Sequence, residues 1–200
     1  MTTCNASSLM EIIRRGEFVL MDGALGTELE RRAVPIEGSG WSAFAVRDYA
    51  DVIRDIHQDY IQAGAKLHIV NSFALARHVL EPVGLGDQFE HLNQQAVALF
   101  DDAVTRSDAN RNSLWAAGSL STFAANSDRS LLPKGEALVT NCRDQARILR
   151  DAGVDLFVLE MLFDTEVTLA MYEAVAGFDL PVILGFTCDH SDADGSTVVT

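Results

Sequence analysis

The chain has 200 residues, of which 48% are hydrophobic and 22% charged, a balance that predicts a folded globule with one sizeable core rather than a disordered or fibrous chain. Its formal net charge of −14 argues against a nucleic-acid partner, because neutralising phosphates requires clustered Lys and Arg. The longest apolar runs are far too short to cross a bilayer, so we expect no membrane association.

The first predicted elements are a short amphipathic helix at 9–16 and a strand at 18–22. The apolar residues of the strand predict burial on both faces. The strand ends in Asp22, an acid that is costly to bury unless it binds or orients something. Gly23 and Gly26 then permit a sharp turn and the close approach of a ligand. The simpler alternative is a strand followed by a turn, with Asp22 capping a helix.

The same pattern, a buried strand with a polar end followed by a helix, recurs four more times. Further strands are predicted at 66–71, 114–118, 155–160 and 181–187. Helices are predicted from about 48 to Gly64, at 86–106 with Asp87 and Glu90 as a capping box, at 138–153, and at 165–175 with Asp164 or Thr165 as the cap. The stretches 28–47 and 121–135 are predicted to be irregular loops.

Five buried strands alternating with helices predict a parallel sheet, either an open doubly wound sheet or a (β/α)₈ barrel. The turn after the first strand lacks the glycine patterns of dinucleotide and phosphate loops, which weakens the open-sheet alternative. Polar residues at several strand ends favour a barrel, namely Asp22, Asn71, Ser119, Glu160 and Thr187. We therefore predict an α/β fold of the parallel (β/α)₈ TIM-barrel type. Only about five of the eight units are present, as a single partial domain over residues 1–200.

Glu160 is the strongest candidate for a functional residue, because it interrupts an otherwise apolar run. A buried carboxylate is costly unless it is paired, so Glu160 either binds an ammonium group of a substrate or pairs with an arginine such as Arg77. Asn71 offers a donor and an acceptor at a strand end, although it could equally satisfy nearby loop backbone. His57 lies in a helical segment and is predicted to be a packed or surface residue.

The histidines and cysteines show no spacing that predicts a metal site. There is no HExxH or CxxC pattern, and Cys142 lies on the apolar stripe of a predicted helix. Cys4, Cys142 and Cys188 are odd in number and far apart, which fits a reducing compartment better than a disulfide framework. The polar N-terminus predicts no signal peptide, so the cytoplasm is the expected location.

Taken together, several short stretches resemble the homocysteine S-methyltransferase family, in family order across about residues 17–195. The stretches are Met21-Asp-Gly-Ala-Leu-Gly-Thr27, Trp41-Ser-Ala43, His57-x-x-Tyr60-x-x-Ala63-Gly64-Ala65, Asn71-Ser-Phe73, Arg77-His78, Gly84-Leu85, Asn93, Gly118-Ser119, and Ala152-Gly153-Val-Asp155 leading to Glu160. The resemblance implies a TIM barrel that transfers a methyl group from a small donor to the thiol of homocysteine, giving methionine. It also implies a zinc ion, held by three cysteines, that binds the substrate as its thiolate.

The resemblance implies roles for six residues of this sequence. Glu160 matches the glutamate that holds the amino group of homocysteine. Asp22, Gly23 and Ala24 match the end of the first strand beside the substrate, and Asn71 and Ser119 match strand ends that face the same cavity.

This sequence departs from the family pattern at the metal site. The family's cysteines lie in a Gly-x-Asn-Cys and a Gly-Gly-Cys-Cys stretch, and neither is present. We therefore expect no zinc ligands within the chain and place them beyond Thr200. Met161 also stands where the family usually has threonine.

Two alternatives to a methyltransferase remain. One is a catalytically inactive short relative that binds an amino acid or another subunit, and the other is an unrelated open α/β sheet. The sequence does not distinguish betaine, methylfolate or S-methylmethionine as the methyl donor. It is also compatible with a homo-oligomer.

Overall fold

The computed structural model describes residues 3–36, 38, 40–123, 130 and 132–187. Within these residues the helices are α1 (Thr3–Arg14), α2 (Leu25–Arg31), α3 (Ala43–Asp48), α4 (Ala50–Gln62), α5 (Arg77–Leu80), α6 (Phe89–Arg106), α7 (Glu136–Ala152) and α8 (Thr165–Val175). The strands are β1 (Leu67–Val70), β2 (Trp115–Ser121), β3 (Leu156–Leu162) and β4 (Val182–Phe186). Short 3₁₀ turns lie at Glu81–Val83, Gly86–Gln88, Arg111–Ser113 and Ala176–Phe178.

The strands form one parallel sheet in the order β1-β2-β3-β4. Leu67 lies opposite Trp115, Ala117 opposite Leu156, and Phe157 opposite Val182. Helices α6, α7 and α8 connect consecutive strands, as parallel neighbours require. The prediction of a parallel α/β sheet, in which strands consecutive along the chain are neighbours, is therefore confirmed.

The prediction of a buried first strand at 18–22 is wrong. Only Met21 forms a bridge, to Leu67, although backbone bonds from Lys66 and Leu67 to Leu20 keep the segment beside β1. Phe18 is fully exposed and Leu20 is 58% exposed. Val19 packs partly against the cluster that contains Leu9 and Leu67, but Phe18 and Leu20 are left exposed, because an apolar pattern does not reveal whether a neighbour is present. The segment nevertheless lies at the sheet edge rather than in its middle, as the barrel prediction required.

Two hydrophobic clusters of the core lie against the sheet, one on each face. On one face α6, α7 and α8 pack against the strands through large buried side chains such as Phe100, Leu149 and Phe157. On the other face Leu9 of α1 packs against Leu67 and Trp115, which lie near the start of β1 and β2. The amino ends of the strands are thereby covered, and their carboxyl ends are left for a site. None of the described helices is long and apolar enough to span a bilayer.

Helix predictions succeeded where local signals were strong. Asp164 caps α8 by accepting a hydrogen bond from the backbone N–H of Val167 at 2.7 Å, and Gly153 ends α7 at φ 109°. The predicted capping box of Asp87 and Glu90 is wrong, because Gln88 occupies the cap of α6 and no side chain caps that helix.

The predicted loop at 28–47 is also wrong, because it contains the end of α2 and most of α3. These helices have only seven and six residues, too few to be stable alone. Burial of Leu29, Ala45 and Val46 in a core shared with α4 and α6 stabilises them. Of the predicted loop at 121–135, residues 124–129 and 131 lie outside the described part of the chain.

Candidate functional site

A cavity of about 370 Å³ lies at the carboxyl ends of β1 and β3 and is called the tip cavity here. It is lined by Gly23, Ala24, Leu25, Gly26, Thr27, Trp41, Ile69, Val70, Asn71, Phe73, Glu160 and Met161. Four of the six predicted site residues are among them: Gly23, Ala24, Asn71 and Glu160. The two others, Asp22 and Ser119, lie behind the cavity wall.

Glu160 is held in the cavity wall by one hydrogen bond. The hydroxyl of Ser119 donates to Glu160 Oε1 at 2.5 Å, which joins the ends of β2 and β3. Burial raises the pKa of the Glu160 carboxyl, and the hydrogen bond from Ser119 opposes that rise. Among the described residues no Lys or Arg forms an ion pair with Glu160. Arg77, the alternative partner, instead approaches Asp144 at 3.5 Å and lies over the ring of Phe89.

A buried hydrogen-bond chain supports Ser119 from the helical layer. The Ser72 hydroxyl accepts from the Ser119 N–H at 2.9 Å and donates to the Ser119 carbonyl at 2.8 Å. The Gln145 amide, on α7, donates to the Ser72 carbonyl and to Asn93 Oδ1. Asn93, on α6, donates to the carbonyls of Leu75 and Phe89. Two helices therefore fix the strand end that carries Ser119, and through it Glu160.

Sequence reasoning missed Ser72 and Gln145. A signal for Gln145 existed, because this polar residue stands beside Ala146 on the apolar stripe of α7 and is itself buried. A buried amide must find partners, so its position indicates a polar network.

Asn71 is buried at the end of β1 and lines the tip cavity. Its Nδ2 atom is buried and has no hydrogen-bond partner among the described residues. A buried donor of this kind is costly unless something bonds to it. The predicted donor at this strand end is therefore present, and it has no partner among the described residues.

Met161 follows Glu160 with a backbone φ of 58°, a conformation that side chains other than glycine rarely adopt. The pairing of β3 with β4 shifts register between Leu159 and Leu162, as in a β-bulge. The Thr122 hydroxyl donates to the Met161 carbonyl at 2.6 Å. The irregularity directs two consecutive residues, Glu160 and Met161, to the same cavity.

The glycines after Asp22 serve close packing. A Cβ atom on Gly23 would lie 2.7 Å from the Tyr60 hydroxyl, and one on Gly26 would overlap the Trp41 ring. Neither glycine adopts a positive φ, so the predicted sharp turn is not the reason for them. They let α4 and Trp41 approach the segment that forms one wall of the tip cavity.

Asp22 lies behind the tip cavity and faces two histidines. Its Oδ2 atom accepts a hydrogen bond from the Ile69 N–H at 3.0 Å and lies 3.8 Å from His68 Nδ1. Burial raises the pKa of Asp22 to about 7, a rise that the Ile69 hydrogen bond opposes and the charge of Glu160 increases. His57, on α4, completes the group, in which the ligand atoms of all three side chains lie within 4.8 Å of one another.

Both histidines are fully buried against the ring of Phe100. Burial lowers the pKa of His57 to about 3 and that of His68 to about 4, so both rings are neutral at pH 7. His57 was predicted to be packed or exposed, and it is packed. The three residues come from separate elements, so their spacing along the sequence does not reveal that they meet.

The cysteine zinc site that the family resemblance implies does not fit the described residues. Cys142 is buried on α7, and burial raises its thiol pKa to about 12, whereas a zinc ligand must be a thiolate. The side chains of Cys4 and Cys188 lie outside the described part of the chain.

The fold and site define an α/β protein with a ligand cavity at the carboxyl ends of parallel strands, the face that carries the active sites of parallel barrels. A family model described as homocysteine S-methyltransferase matches residues 19–200. The chain therefore belongs to the homocysteine S-methyltransferase family.

Relatives of known sequence and structure agree with this assignment. The chain is 29% identical over 164 residues to homocysteine S-methyltransferase of Escherichia coli, covering 77% of this chain and 53% of that protein. It is 27% identical over 184 residues to homocysteine S-methyltransferase 2 of Zea mays, covering 81% and 54%. The chain thus spans about half the length of these relatives. The metallated form of the E. coli homocysteine methyltransferase MmuM matches 94% of this chain and 70% of its own, with a TM-score of 0.75 and 26% identity.

Proposed function

We propose that this chain binds L-homocysteine in the tip cavity, as the substrate-binding part of a homocysteine S-methyltransferase. Its sheet would then be part of a (β/α)₈ barrel, with residues 1–200 forming a single partial domain. The observation that carries the proposal is Glu160, whose Oε1 is held by Ser119 and which has no cationic partner among the described residues. A buried carboxylate of this kind suits an ammonium group, because a charge-assisted hydrogen bond would offset the cost of its burial.

The remaining polar groups suit the other end of an amino acid. Asn71 lines the same cavity, and its amide N–H groups, of which the nitrogen has no partner among the described residues, are suited to the substrate carboxylate. Gly23 and Ala24 contribute another part of the cavity wall, and the missing Cβ of Gly23 lets Tyr60 pack against that segment. The rings of Trp41 and Phe73, 5.4 Å apart, provide apolar surface for the substrate's methylene groups.

The reaction would be methyl transfer from a small donor to sulfur, giving methionine. The new carbon–sulfur bond forms, the donor's bond to the methyl carbon breaks with its electron pair left on the demethylated donor, and the thiol proton passes to solvent. We assign the described residues substrate binding and orientation and no zinc-dependent step, because they do not form the family's cysteine site. A cytoplasmic location suits this role, since a free thiol substrate persists in a reducing compartment.

Isothermal titration of the chain with L-homocysteine and with 4-sulfanylbutanoate, which lacks the amino group, tests the proposal. We expect homocysteine to bind at least about 30-fold more tightly, because only it makes the charge-assisted bond to Glu160. Equal affinity for the two thiols would contradict the role of Glu160, and binding of neither would contradict the proposed cavity.

An inactive amino-acid-binding module is the second candidate function, favoured by Cys142, whose buried thiol with its raised pKa is unsuited to ligating a metal. A methyl-transfer assay with S-methylmethionine, betaine or methylfolate as donor separates the two. Methionine formation above the uncatalysed rate supports the transferase, and homocysteine binding without methionine formation supports the module.

A further inference from the structure

Behind the tip cavity, Asp22, His57 and His68 converge from the edge segment, α4 and β1. Their ligand atoms lie within 4.8 Å of one another, and their side chains are almost completely buried. Asp22 Oδ1, both ring nitrogens of His57 and His68 Nδ1 have no hydrogen-bond partner among the described residues. Polar atoms buried in this way normally have a bonding partner. A bound ligand that contacts several of them at once would therefore be stabilising.

The orientation of His68 resembles that of a metal ligand. Its Nε2 atom lies 3.2 Å from the Ala65 carbonyl, a contact that only an N–H at this position makes favourable. Nδ1 then carries the lone pair and points toward Asp22. Metal-binding histidines commonly donate their second ring N–H to a backbone carbonyl in this way, which fixes the tautomer and the ring direction.

The other two side chains present matching donors. Asp22 uses Oδ2 to accept from the Ile69 N–H, which anchors the carboxylate and leaves Oδ1 directed elsewhere. His57, held against Phe100, offers a lone pair from a neutral ring. Two imidazole nitrogens and one carboxylate oxygen are a donor set that prefers Zn²⁺, Co²⁺ or Fe²⁺ to Mg²⁺ or Ca²⁺.

We propose that Asp22, His57 and His68 form a buried site for a transition-metal dication of the Zn²⁺ type. The site uses no cysteine and is separate from the zinc chemistry that the family resemblance implies. With metal–ligand bonds of about 2.1 Å in tetrahedral geometry, ligand atoms lie about 3.4 Å apart. The three side chains, whose ligand atoms now lie within 4.8 Å of one another, must therefore rotate closer together to bind the cation. The cation would tie α4 and β1 to the segment that carries Gly23 and Ala24 in the cavity wall.

Metal loading provides the test, and since the site is buried, the metal is supplied during folding. The chain is refolded with Zn²⁺, dialysed against a weak chelator, and analysed for bound metal. His68→Ala and Asp22→Asn are compared with His91→Ala, which removes an exposed histidine of α6. We expect about one Zn²⁺ per chain in the wild type and in His91→Ala, and an affinity more than about 100-fold weaker in the two cluster variants.

Refolding with Co²⁺ gives a second readout that does not require the variants to fold. Nitrogen and oxygen ligation gives weak visible absorption, whereas thiolate ligation adds an intense sulfur-to-cobalt band. Stoichiometric Co²⁺ without that band supports the site. A wild-type chain that retains no metal would overturn the proposal and indicate a buried water instead. Equal retention by folded His68→Ala, or a thiolate band, would also overturn it.

Discussion

Replacing Glu160 with glutamine separates the charge of this side chain from its shape. The amide oxygen of the new side chain would still accept the hydrogen bond that Ser119 now donates to Oε1 at 2.5 Å, so the wall of the cavity is kept. The charge-assisted bond between the second oxygen and the substrate ammonium is lost. In this partly dry position the loss is about 2–4 kcal/mol, which is a fall of about 30- to 1,000-fold in homocysteine affinity.

The same variant makes a prediction about stability. Burial raises the pKa of Glu160 above its value in the unfolded chain, so its contribution to stability is fully present below the unfolded pKa and is lost as the pH rises through the folded pKa. Glutamine avoids the cost of burying the ionised carboxylate, and we expect Tm to stay equal or to rise.

Homocysteine titration and thermal unfolding of Glu160→Gln should therefore be measured together. Glu30→Gln is the matched control, because Glu30 is exposed on α2, away from the tip cavity. A large fall in Tm with normal homocysteine affinity would show that Glu160 is a structural residue and not a substrate ligand. Unchanged Tm with weak binding would support its role as a substrate ligand.

Three further predictions concern the surroundings of Glu160. Homocysteine affinity should fall as the pH is lowered through the raised pKa of Glu160, because only the carboxylate binds ammonium; a titration series that shows no fall would contradict this. Gln145→Leu should destabilise the chain by about 1–3 kcal/mol in urea unfolding, since it leaves the Ser72 carbonyl unpaired, and a neutral effect would contradict the buried network. Gly26→Ala should cost about 1–3 kcal/mol through its clash with Trp41, while Gly177→Ala, with open space around it, should be nearly neutral.

Features set by local sequence were predictable. The cap of α8 at Asp164 and the end of α7 at Gly153 depend on a few neighbouring residues, and both occur where the sequence predicts them. The sequential parallel sheet follows from the alternation of strands and helices. Glu160 was found because a carboxylate within an apolar run is conspicuous, and it lies in the wall of the tip cavity.

Features set by distant contacts were not predictable. Phe18 and Leu20 have a strand's composition, but their burial depends on a neighbour that no described residue provides. Helix α3 exists because the core buries it, and its sequence alone resembles a loop. Asp22, His57 and His68 are separated by 35 and 11 residues, so no local pattern reveals that they meet.

A crystal structure of this chain grown with L-homocysteine would show whether Glu160 binds the substrate ammonium. We expect the ligand in the tip cavity, with its ammonium nitrogen within hydrogen-bond distance, about 3 Å, of a Glu160 carboxylate oxygen and its carboxylate near the Asn71 amide. Homocysteine bound elsewhere, or bound in the tip cavity with its ammonium group directed away from Glu160, would contradict the account.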